Sequence, residues 1–243
     1  MDRRYRGKKI LIACSMIEDE INAVFDHFGC DDVGIRWMER GYHNDPDELR
    51  GVIQNEIDKA EDEGADVVML AYGLCGKGAA GWHAKSAVLA MPRFDDCCNI
   101  MLSTGRREKR NLLEAGNMYL TQGWSRDEGA LLSMLERACE RYGERRGLRV
   151  MKLMFDSYTK VTVIDTGCYE LGPVQEYAGK CAEILGLERC TVPGSNEVLK
   201  KLITGSWDED IIVKGPGEQI EEEDFDFGGE PGATSDQLWR KMI

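Results

Sequence analysis

Residues 66–78 read DVVMLAYGLCGKG. Five apolar residues in a row suit a strand covered on both faces, as in parallel sheets packed between helices. The run stops in a turn that holds three glycines. A parallel neighbour cannot be reached through a hairpin; it needs a crossover of about a dozen residues or more, usually a helix. This one stretch therefore commits the surrounding chain to strand–helix alternation.

The alternation extends in both directions. Strands are predicted at 9–14, 33–38, 66–71 and 87–91, with helices at 15–28, 47–63 and 95–113. Ser15 and Glu18 have capping-box spacing, and Pro46 and Gly64 bracket the second helix as start and stop signals. Residues 117–125 read as irregular or as a short strand. Helices follow at 129–142 and around 151–155, then a strand at 160–165 and a helix around 174–185. A short strand at 190–192, a helix at 195–204 and a last strand at 210–214 complete the pattern. The expected class is α/β, with largely parallel sheets in two Rossmann-like halves and a cleft between them. The expected organisation is a first half at 8–93, a helical connector at 94–148, a second half at 149–216 and an acidic, partly disordered tail at 217–243. Residues 218–243 carry a net charge of −6 of the chain's −13. Phe225, Phe227 and Trp239 leave room for that arm to dock.

Charge narrows the partners. With 44 Asp+Glu against 31 Lys+Arg, the chain lacks the concentrated basic surface that nucleic acid requires. Arg106, Arg107, Lys109 and Arg110 can hold one anion but form no groove. No stretch approaches the ~20 apolar residues of a membrane span. The apolar run at 10–14 is too short for a secretory core of about 7–15 residues. A cytoplasmic location, with no membrane partner, is the expectation.

Nine cysteines with irregular spacing and no CxxC argue against a disulfide framework or a zinc ribbon. Ligands of parallel α/β sheets bind outside the carboxyl ends of the strands. Cys14, Cys75, Cys97 and Cys168 all fall at predicted strand-end turns. Thiolates at such turns gain from nearby helix N-termini and bind soft metals. These four are the candidate metal ligands, for zinc, an iron–sulfur cluster or the cobalt of a corrinoid. Cys30, Cys139, Cys181 and Cys190 read as packing residues. Tyr72, Gly73, Gly76, Lys77 and Gly78 form a candidate cofactor cradle, with close backbone approach and one positive charge. The turn lacks the spacing of a P-loop or a dinucleotide fingerprint. Cys97, Arg93 and Asp96 are the catalytic candidates: a nucleophile, a positive field and a general base. Asp96 reads equally well as a helix cap.

The stretches YGLCGKG, MPRFDDCCNIMLSTGRREKR, GNMYLTQGW and VLKKLITGSWDEDIIVKGPG, in that order, resemble the family called domain of unknown function 1638. The resemblance spans about residues 9–216. The family pattern Pro-Arg-x-His-Asp-Cys maps onto Pro92, Arg93, Asp96 and Cys97, with Asp95 in place of the histidine. Imidazole ligation at that point is thereby lost. The resemblance implies a cytoplasmic prokaryotic or archaeal protein associated with corrinoid-dependent methyl transfer, and names no reaction. Three readings stay open: a metal- or cofactor-binding protein of one-carbon metabolism, a cysteine-dependent transferase or hydrolase without metal, and an accessory protein. In the last, a methyltransferase or corrinoid protein is the partner.

Overall fold

The computed structural model describes residues 7–39, 45–104, 112–126 and 130–225. The basic cluster 106–110, Phe227 and Trp239 lie outside the described residues, and the helix expected at 95–113 is shorter: it ends at Leu102, where Ser103 turns extended.

The chain forms two sheets of a mixed α/β protein. The first has the order β2-β1-β3-β4-β8. Its strands are β1 (Lys9–Cys14), β2 (Val33–Met38), β3 (Val67–Ala71), β4 (Val88–Pro92) and β8 (Ile211–Lys214). β1, β2, β3 and β4 run parallel, and β8 pairs antiparallel with β4. The second sheet, β5 (Asn117–Leu120), β6 (Lys160–Asp165) and β7 (Glu188–Pro193), is wholly parallel.

Every residue of β1 and β3 is buried. One face of the first sheet, with Ile10, Ile12 and Leu70, packs on α2 (Pro46–Asp62) through Leu49, Ile53 and Ile57. The other face, with Leu11 and Met69, packs on α1 (Glu18–Phe28) and α8 (Glu197–Thr204). This two-sided cover is why those strands read as unbroken apolar runs. Asp45 caps α2 by accepting from the N–H groups of Asp47 and Glu48, which satisfies donors the helix cannot. Ser15 does not cap α1. Residues Ser15–Ile17 form a 3₁₀ turn, and α1 begins at Glu18.

Chain order and sheet membership diverge in three places. β5 lies within the span expected to be a helical connector, yet it pairs with β6. α8 and β8, expected in the second half, lie on the first sheet instead. The apolar stripe of α8 (Val198, Leu199, Leu202, Ile203) fixes this return by burying itself beside β3 and β4. Over its described part the acidic arm docks onto the first sheet, with Phe225 as one of the docking residues. Ile220 and Phe225 are fully buried in the first sheet's core. Ile220 exchanges backbone hydrogen bonds with Gly81 and Trp82. Two apolar anchors hold an otherwise charged segment in place, with its carboxylates turned outward. α4 (Gln122–Arg126), α5 (Leu131–Tyr142), α6 (Glu144–Met154) and α7 (Leu171–Leu185) complete the described helices, with α3 (Cys97–Leu102) following β4. Among the described residues no helix is long and apolar enough to cross a membrane.

Candidate functional site

The carboxyl ends of β1, β3 and β4 sit side by side in the first sheet. Each has a cysteine at or beyond its end: Cys14 closes β1, Cys75 lies in the turn after β3, and Cys97 opens α3 after β4. After β3 the chain turns through Cys75, Gly76 and Lys77, all with positive φ (48°, 63° and 75°). Such angles are costly for residues with a Cβ and persist only where surroundings enforce them. Here the enforcement comes from the turn after β4. The Leu74 N–H donates to Phe94 O (2.9 Å) and the Cys75 N–H to Asp95 O (2.8 Å). Gly73 permits this approach. A Cβ there would lie 2.6 Å from Asp96 Cα and 2.8 Å from Phe94 O.

The two zipped turns and the end of β1 enclose a small cavity. It is lined by Cys14, Met16, Ala71, Tyr72, Cys75, Cys97 and Trp124, and its volume is about 10 Å³. That admits one water-sized centre. Trp124 arrives from α4, which follows β5 of the second sheet. Gly123 makes this contact possible, since a Cβ there would lie 2.2 Å from Met16 O. The Gln122 amide donates to Asp19 Oδ1 (2.8 Å) and Arg126 pairs with the same carboxylate. The Thr166 hydroxyl, after β6, donates to Glu20 Oε1 (2.9 Å). The C-terminal edge of the second sheet thus meets the start of α1.

Three of the four expected thiols therefore share one cavity, and none of the nine cysteines is in a disulfide. Cys168 does not line it. Its sulfur lies 3.4 Å from the Asn196 amide nitrogen, beside Glu20 and Thr166. The strand-end rule selects it correctly as a strand-end residue, but that strand belongs to the other sheet. Among the described residues no three His, Cys, Asp or Glu side chains already stand at metal-binding spacing. The sulfurs line the space without being drawn to one point.

The electrostatics follow from burial. The Cys75 thiol is pushed well above its ordinary value by burial, then by the neighbouring charges of Cys97, Cys14 and Asp96. The Tyr72 phenol is raised by burial and by Cys14, Cys75 and Cys97. Cys98, whose thiol is hydrogen-bonded with that of Cys97, is raised by that hydrogen bond first and by burial second. Asp96 is raised to about 6 by burial, against a bond from the Asn99 N–H. Cys75, Tyr72 and Asp96 resist becoming anions chiefly because they are buried, and then because other acidic groups lie close by. A bound cation reverses that logic, because its charge favours every thiolate at once.

The other expected residues take structural places. Asp96 caps α3 through that Asn99 bond. The Arg93 N–H donates to Asp210 O beside the β4–β8 ladder, and Arg93 does not line the cavity. Gly78 lies against Leu49 and Pro46. Lys77 forms an ion pair with Glu222 (2.8 Å). The turn's glycines and lysine thus meet protein, and Tyr72 alone of the five faces the cavity. Met16 and Trp124 carry no chemical motif and were invisible to motif reasoning. The GNMYLTQGW stretch, which contains Trp124, was the one available signal.

These features define an α/β protein with a thiol-lined cavity at the strand ends of its first sheet. The family model described as Protein of unknown function (DUF1638) matches residues 37–203, and the chain belongs to that family. No curated protein matches it. Among solved structures, a solute-binding protein of an ABC transporter system from Conexibacter woesei DSM 14684 is similar at 9% identity and a TM-score of 0.25. That match covers 90% of this chain and 92% of the other. A small-chain dehydrogenase is similar at 11% identity and a TM-score of 0.18, over 78% of this chain and 98% of the other. Likeness at these scores carries no argument about fold or activity.

Proposed function

We propose that Cys14, Cys75 and Cys97 form a thiolate site for one soft or borderline metal ion, in a cytoplasmic protein of one-carbon metabolism. The observation that carries the reading is their convergence: three cysteines far apart in sequence line one buried cavity. The donor set suits zinc and softer ions. The size of the space discriminates further. The space admits one water-sized centre, which suits a single ion better than a multi-iron cluster or a corrin ring. A corrinoid therefore enters the proposal as the cargo of a partner protein, in keeping with the association that the family resemblance carries. We read the two sheets as Rossmann-like halves facing each other across a cleft, with Trp124 reaching across to close the site. Loading draws the three sulfurs together and releases their protons.

The reading of a metal-free cysteine nucleophile is less well supported. A nucleophilic thiol needs a nearby base or positive field, and no histidine, lysine or arginine among the described residues lines the cavity.

Zinc titration of anaerobically purified protein against a chromophoric chelator tests the proposal. One equivalent should bind, with affinity falling at least 100-fold in Cys75→Ala and in Cys97→Ala. Cys168→Ala and Cys190→Ala should bind as the parent does. Absence of saturable uptake, or uptake indifferent to Cys75 and Cys97, overturns it.

A further inference from the structure

We infer that the outward face of α6 docks on the acidic edge of a second copy of this chain and makes a two-fold dimer. The inference does not rest on the metal site. α6 turns Gly147 and Met151 inward; both are buried, and a Cβ on Gly147 would lie 2.7 Å from Cys139 N of α5. Arg145, Leu148, Arg149 and Lys152 follow i, i+3, i+4, i+7 spacing, share the outward face and are exposed. Leu153 beside them is 67% exposed. Tyr142 and Met154 are also exposed, Tyr142 with the Arg141 guanidinium over its ring. Lysines and arginines elsewhere mostly sit in ion pairs, as Lys59 does with Glu56 and Lys200 with Glu197. Arg145, Arg146, Arg149 and Lys152 form none among the described residues, in a chain of net charge −13.

The chemistry of the face limits what covers it. Arginine, tyrosine and methionine are enriched at protein interfaces. Guanidinium forks match carboxylates two bonds at a time. Exposed leucine adds apolar contact that a phosphate backbone does not use. The matching surface lies on the same chain. β8 is the last strand in the order of the first sheet, and Val213 on it is 38% exposed. Lys214 pairs with Asp224, which lays the acidic segment against β8. Glu218, Glu221 and Glu223 of that segment are exposed and form no ion pair among the described residues, whereas Glu222 is paired with Lys77. Ile220 and Phe225 are buried in the core, so these carboxylates stand on a fixed surface. A valine among carboxylates complements a leucine among guanidinium groups. Overall negative charge does not forbid the contact, because exposed charges more than about 8 Å apart are largely screened at physiological salt. Each copy offers both surfaces, so under two-fold symmetry the contact forms twice and closes the assembly.

Sedimentation velocity of the full chain over a concentration series tests this. A monomer–dimer equilibrium is expected. Arg149→Glu with Lys152→Glu should weaken it roughly tenfold or more, as should Glu221→Lys with Glu223→Lys. The four changes together should recover much of the loss, because the pairs reform with their signs exchanged. Leu153→Ala should weaken the dimer as well. All five side chains are exposed, so thermal midpoints should stay near that of the parent, which separates lost docking from unfolding. A chain that stays monomeric at its highest soluble concentration overturns the inference, and binding of that monomer to phosphatidylglycerol vesicles would assign the face to a membrane instead. A dimer indifferent to both charge reversals, or one that the combined variant fails to recover, overturns it equally. An open-ended series of oligomers overturns the two-fold closure.

Discussion

Gly73→Ala is the most informative single perturbation of the fold at the site. Gly73 has no positive φ, so conformational freedom is not what it supplies. Its role is steric. An added methyl would stand 2.6 Å from Asp96 Cα, 2.7 Å from Asp96 N and 2.8 Å from Phe94 O. All three atoms are backbone, so no side-chain rotation relieves the clash. Overpacking costs about 1–3 kcal/mol. The two backbone bonds that zip the turns contribute about 1 kcal/mol each and weaken as the turns part. The expected loss is about 3 kcal/mol, a drop of roughly 6–12 °C in midpoint for a chain of this size. Urea unfolding followed by tryptophan fluorescence gives the free energy, and zinc titration reports the separation of Cys75 from Cys97. Gly29→Ala is the control: φ is 60° there and nothing lies within 4 Å. That change should cost only about 1 kcal/mol, through backbone conformation alone. A Gly73→Ala protein within about 0.5 kcal/mol of the parent and with normal zinc affinity refutes the reasoning.

Further expectations follow from burial. Glu20 is held near pKa 7, chiefly by burial, against 4.5 unperturbed. Its raised value means the folded protein binds more protons than the unfolded chain, so stability is full below pH ~4.5 and falls as pH rises toward 7. The difference is roughly 3 kcal/mol, and Glu20→Gln should flatten that slope when both proteins are melted across pH 4–8. A parallel slope in the two proteins contradicts it. Phe225→Ala should cost about 3–5 kcal/mol by urea unfolding, as expected for emptying a fully buried site. A cost below about 1 kcal/mol would show that the acidic segment is not anchored in the core. Cys98→Ala should leave zinc stoichiometry at one per chain, and loss of binding there would reassign the ligand set.

The parts of the fold that were legible are those in which local pattern and burial coincide. β1 and β3 are unbroken apolar runs because both faces are covered. The glycines after β3 announce a turn wherever they occur. β8 was legible as a strand but not in its direction or its sheet, because IIVK reads the same whichever neighbour it pairs with. The packing of α8 decides that, and α8 is amphipathic in either setting. β5 is short and mostly half-buried, so its apolar signal is weak. Ile220 and Phe225 are two anchors among carboxylates; the ring of Phe225 stands out in the sequence, whereas a single isoleucine in an acidic run does not. At the site, Cys14, Cys75 and Cys97 were legible because strand ends locate ligands in parallel sheets. The same rule points to Cys168, since strand ends say nothing about which sheet they belong to. Trp124 was hidden because its role depends on Gly123 and Met16 meeting across the chain.

The claim that three thiols hold one cation is tested most directly by counting protons. Calorimetric titration of zinc near pH 7, in buffers of different ionisation enthalpy, gives the number released per ion. Ordinary thiols are largely protonated at that pH, and burial pushes Cys75 further that way. The expected count is close to three per zinc, with a stoichiometry of one. Saturable binding that releases no protons, or no binding at all, would contradict it.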